Sequence, residues 1–157
     1  MAANNGFDAS QPTQSTNDAF RVPRVVYLVN STLLICHEID SAYWREWELF
    51  HIPSGPIAFV ALHLPLVAFV LYGKMLAARG DRAWCWYSLM TGVAGVCGGV
   101  LHISLLLAGS QPFSTWFSTS LIAAFLLASI TQLVVTGLWW RETGHRHDAS
   151  SPKGETQ

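Results

Sequence analysis

Four apolar stretches of about 20 residues or more, the length a helix needs to cross about 30 Å of hydrocarbon, nearly exhaust this chain. They predict helices over about residues 23–47, 55–76, 84–107 and 114–140. Turn residues fall between them: Pro53, Gly55 and Pro56, then Gly80 and Asp81, then Gly109, Ser110 and Pro112. All three connections are short, so neighbouring helices should run antiparallel. The expected fold is therefore all-α, a four-transmembrane-helix bundle of up-and-down topology. Residues 1–20 are rich in Ser, Thr, Asn, Gln and Ala and carry no basic segment ahead of an apolar core, which reads as a disordered polar tail and not a secretory signal. Residues 143–157 read the same way.

Composition supports this picture. Hydrophobic residues make up 51% of the chain and charged residues 12%, against roughly a quarter charged in soluble domains. A water-soluble fold is excluded, and four spans in 157 residues leave no room for a separate soluble catalytic domain. The nine basic residues form no patch with interleaved aromatics, so nucleic acid is not an expected partner. Three cysteines without a CxxC spacing fit packing residues better than a disulfide framework or thiolate site. All seven tryptophans fall at predicted helix ends, where the indole ring meets lipid headgroups. Arg21, Arg24, Lys74, Arg79, Arg82, Arg141, Arg146 and Lys153 share one side and Arg45 stands alone on the other. The positive-inside rule puts both termini in the cytoplasm.

The first predicted helix is the anomaly. Its apolar run, residues 25–36, already contains Asn30, Ser31 and Thr32, and is too short to span. To reach Trp44 and Trp47 it must carry His37, Glu38 and Asp40 into hydrocarbon, where an unpaired carboxylate costs roughly 2.5–3.5 kcal/mol. Compensation is at hand. His37, His63 and His102 lie about ten, nine and five or six residues from the outer ends of their helices, which at about 1.5 Å per residue is one layer within roughly a turn and a half. His37 and Asp40 share an inward stripe with Asn30, Leu33 and Trp44, while Glu38 lies about 100° away and can meet Arg45 or another helix. Pro65 frees the carbonyl of Ala61 and can aim His63. Gly92, Gly95 and Gly99 continue to His102 on one face of the third helix, with a GxxxG pair that admits a close neighbour, a partner protein or a second copy. Ser129, Gln132 and Thr136 of the last helix lie away from this layer and serve interhelical hydrogen bonds.

Three imidazoles with one or two carboxylates match the ligands of zinc, iron or copper. His37, His63 and His102 would be ligands, Asp40 a ligand or an orienting acid, and Glu38 a proton carrier or outer partner. Two of the histidines can alternatively hold a haem, or the cluster can relay protons. One intramembrane histidine is usually a hydrogen-bonded packing residue; three at one depth beside acids shift the balance toward a site. Two further classes compete with a metal or haem site: a non-catalytic accessory or assembly protein whose polar layer fixes helix register, and a proton-coupled transporter subunit, for which four spans without an internal repeat are a poor complete carrier. No reaction is legible.

The string Cys36-His37-Glu38-Ile39-Asp40-Ser41-Ala42-Tyr43-Trp44-Arg45-Glu46-Trp47-Glu48-Leu49-Phe50, followed by Leu62-His63-Leu64-Pro65-Leu66, resembles a family of small, uncharacterised bacterial four-helix membrane proteins. The resemblance covers about residues 25–140. It implies a multi-pass protein of the bacterial cytoplasmic membrane and carries no mechanism.

Overall fold

The computed structural model describes the backbone over residues 12–109 and 115–150, and side chains over 21–109 and 115–142. Within these residues all regular structure is helical: α1 (Pro12–Tyr43), the short α2 (Glu46–Leu49), α3 (Pro56–Arg79), α4 (Trp84–Leu107) and α5 (Trp116–Ser150). The third expected helix has the bounds read from sequence. Others differ. α1 starts at Pro12, because proline fits the first helical turn, and it continues through Pro23. Residues 12–20 and 143–150, expected in the tails, are thus helical; 1–11 and 151–157 lie outside the described residues, as do Ser110 and Pro112 of the expected third turn.

At its other end α1 stops at Tyr43 and not at 47. Arg45 takes the left-handed conformation (φ 56°), and His51 (φ 53°) and Ser54 (φ 66°) do so again before Gly55. Each such residue without glycine's freedom costs about 1 kcal/mol or more, so side-chain contacts must hold this reversal in place. By contrast the turn after α3 uses Gly80 at φ 76°, where no such cost arises.

Helix α5 packs on α1 and α4, and α3 packs on α1 and α4. Hydrogen bonds tie the helices together: the Tyr27 hydroxyl donates to the Val70 carbonyl at 3.1 Å, joining the middle of α1 to the second half of α3, and Ser88 and Thr136 hydroxyls lie 2.9 Å apart, joining the first turns of α4 to the second half of α5. Tyr27, Val70, Trp84, Cys85, Phe125 and Trp139 form the core. Trp84 and Trp116 open their helices as the sequence implies, whereas Trp139 and Trp140, expected to close the last helix, lie inside α5, which runs on to Ser150; Trp84 and Trp139 turn inward, with ring centroids 5.6 Å apart, and Trp86, Trp116 and Trp140 face out. Cys85 packs inside; Cys36 and Cys97 are exposed.

Polarity is inverted relative to a water-soluble protein. Asn30, Ser88, Ser129, Gln132 and Thr136 are completely buried while Ile39, Leu64, Leu107 and Leu127 are exposed. Ser129 donates to Asn30 Oδ1 at 3.1 Å and Gln132 Nε2 to the Ser88 carbonyl at 2.6 Å, the interhelical bonding expected of this last helix. Three helical segments, Pro56–Arg79, Trp84–Leu107 and Trp116–Glu142, are long and apolar enough to cross a membrane, which marks the chain as a small membrane protein. α1 does not meet that standard because its inward face is polar.

Glycines on α4 set the closest approach. A Cβ on Gly92 would lie 2.8 Å from Leu133, and one on Gly99 3.0 Å from Leu126. The helix that fills the small-residue face is thus the chain's own α5.

Candidate functional site

His37, Glu38, Glu46, His63 and His102 line one cavity of about 200 Å³, closed by Leu34, Phe125 and other apolar groups. Three of the five come from α1 and its broken end, one from α3 and one from α4, so the site exists only when these elements pack. His37 is edge-on to His102, with ring centroids 4.6 Å apart, and stacks on Phe125 of α5 at 5.5 Å. Nε2 of His63 is 2.7 Å from Glu38 Oε2. Nε2 of His102 is 3.4 Å from Glu46 Oε1.

The other ring nitrogens fix the protonation pattern. Nδ1 of His63 meets the Phe59 carbonyl at 2.6 Å, and Nδ1 of His102 meets the Gly98 carbonyl at 2.8 Å. A carbonyl only accepts, so each Nδ1 must carry hydrogen. The carbonyl that receives His63 is that of Phe59, one turn back, and not the Ala61 carbonyl that Pro65 was expected to free. Both Nε2 atoms then face carboxylate oxygens, and each pair needs one further proton, on nitrogen or on oxygen, to avoid opposing two acceptors.

The three expected histidines and Glu38 therefore come together, but Asp40 does not join them. It sits one turn beyond His37 and turns toward α5, where its Oδ1 accepts from Ser118 at 3.1 Å. The Ser118 oxygen also accepts from Trp44 Nε1 at 3.0 Å and from Thr115 at 2.8 Å. One donor and two lone pairs are all a hydroxyl has, so this buried group is saturated. Ser118→Ala should destabilise the fold by about 1–3 kcal/mol by leaving Asp40 and Trp44 unpartnered; denaturant unfolding in micelles measures it, and a shift under a few tenths would show the knot to be ornamental.

Glu46 takes the place expected of Asp40. The left-handed Arg45 folds α2 back and buries Glu46 against His102, a placement not expected from the sequence. Burial pushes its carboxyl up, yet contacts with His102 and Ser41 and the charge of His102 and His37 outweigh this and hold it below the usual carboxylate range. Nor does Glu38 reach Arg45, which pairs instead with Glu48 in solvent.

A metal centre of five ligands is not assembled. Among the described residues no group of three or more His, Cys, Asp or Glu is gathered so that it could hold a metal ion, because Asp40 is spent on Ser118 and the remaining groups are arranged as His–Glu pairs. The cavity is also smaller than the roughly 300–1,000 Å³ of a drug-sized ligand pocket, so a haem would have to part the helices.

No curated protein and no solved structure matches the chain. It belongs to DUF6713, a family of unknown function, which matches it over residues 23–138 and so takes in every residue of the cavity.

Proposed function

We propose that this member of DUF6713 is a four-span protein of the bacterial cytoplasmic membrane whose histidine and glutamate pairs, set in one cavity, bind and exchange protons near the outer face. One observation carries the reading: both Nδ1 atoms are committed to backbone carbonyls, so each opposed Nε2 and carboxylate must share a mobile cation. His63–Glu38 and His102–Glu46 would each store one proton, and His37, beside His102, would pass it between them. The inverted polarity of α1 supports its role as the fourth span, since Asn30, Ser31, His37, Asp40 and Ser41 are buried while Val25, Leu28, Val29 and Ile39 are exposed. Basic residues at the opposite ends of the helices support cytoplasmic termini.

Nitrogen-15 NMR of the histidine-labelled protein in micelles tests this. Nδ1 of His63 and of His102 should each carry hydrogen and each Nε2 should report a proton shared with its carboxylate, and Glu38→Gln and Glu46→Gln should alter the Nε2 signal of their own partners only. Ring-nitrogen signals that neither variant changes would sink the proposal and leave a layer that fixes helix register, the part of an accessory protein.

A second reading, a divalent transition metal replacing the shared protons, is favoured by the same Nδ1 bonds, because they turn the Nε2 lone pairs inward as metal-binding histidines require. Added zinc would then release protons stoichiometrically, and a His63→Ala and His102→Ala double variant would not.

A further inference from the structure

At the end of the molecule away from the histidines, an open groove of about 550 Å³ lies between α1 and α3. Arg21, Arg24 and Lys74 line it together with Val25, Leu28 and Ala77, and among the described residues no acidic side chain does. Lys74 is anchored: Nζ donates to the Arg24 carbonyl at 3.3 Å and stands 5.0 Å from the Tyr27 ring centroid, which leaves donors over for a ligand. Val25 and Leu28 continue outward as exposed apolar surface on α1.

We infer that this groove is a binding site for the headgroup of an anionic phospholipid. Three cations on adjacent helices supply the charge for a phosphodiester, and basic pockets between membrane helices at the cytoplasmic side take such headgroups. A free phosphate would need only the cations; the apolar wall of Val25, Leu28 and Ala77 fits the glycerol and acyl portion that follows. The volume is that of a ligand site and not of an ion. The inference rests on α1 and α3 lying in the bilayer and is independent of the histidine cavity, so either can fail alone.

The full chain in mild detergent, mixed with phosphatidylglycerol, phosphatidylcholine or inorganic phosphate, is measured by native mass spectrometry and by thermal unfolding. Phosphatidylglycerol should be retained and should raise Tm, while phosphatidylcholine and phosphate should do neither. Each cation removed should weaken retention about fivefold, so Arg21→Gln, Arg24→Gln and Lys74→Gln combined should lose about a hundredfold, and Lys74→Arg should keep the affinity. Arg79→Gln with Arg82→Gln removes charge from the same end outside the groove and should change little. Equal loss in that control, or equal stabilisation by phosphate, overturns the site.

Discussion

Glu38→Ala is expected to lower stability by about 1–3 kcal/mol, because it leaves the half-buried imidazole of His63 without the carboxylate it faces. The double variant Glu38→Ala with His63→Ala should recover part of that loss, since no stranded imidazole then remains. Unfolding of all four proteins in micelles gives the coupling between the two side chains. Its size discriminates between states of the pair. Interhelical hydrogen bonds inside membranes couple by only about 0.6 kcal/mol on average, so a value of that order would describe neutral partners, whereas several-fold more requires a charged, shared-proton pair. Strict additivity would mean that the 2.7 Å contact between Nε2 and Oε2 contributes nothing, and the proton-storage reading would lose its best-ordered element.

The pattern of apolar runs was enough to place the helices, because a segment that must bury its backbone polar groups in lipid has few alternatives. Gly80 and Asp81 mark a turn with the residue types that a left-handed cap and a side-chain bond to the Ala83 amide demand. Depth counting also brought His37, His63 and His102 together, since helices of fixed rise turn residue number into distance. It failed at Asp40 and Glu46. The helical period within α1 puts Asp40 on the face of His37, although its carboxylate turns to Ser118, and continuing that period past Tyr43 sends Glu46 to the opposite face. The chain instead breaks at Arg45, a residue type that gives no local warning of positive φ. Only tertiary contacts, Trp44 to Ser118 and Glu46 to His102, explain the break. Likewise Trp84 and Trp116 mark helix starts, but Trp139 and Trp140 do not mark the end of α5, and position says nothing of facing, so Trp84 and Trp139 could be read as anchors when they are core.

Gly95→Leu should be the most damaging single substitution on α4, costing about 3 kcal/mol, the upper part of the range for overpacked cores. A Cβ at this position would run into the Ser129 hydroxyl and come within 3.0 Å of Phe125 Cζ, so neither neighbour is free to yield: Ser129 bonds Asn30 across to α1, and Phe125 supports the His37 ring. Separation of α4 from α5 would therefore reach the histidine cavity, and the His37 resonances should shift even under conditions where the variant stays folded. Gly98→Ala is the matched control, because a Cβ there meets nothing within 4 Å and alanine gains about 0.5–1 kcal/mol of helix preference over glycine. If Gly95→Leu and Gly98→Ala behave alike, α4 and α5 do not pack through this face, and the cavity cannot be held together in the way its geometry requires.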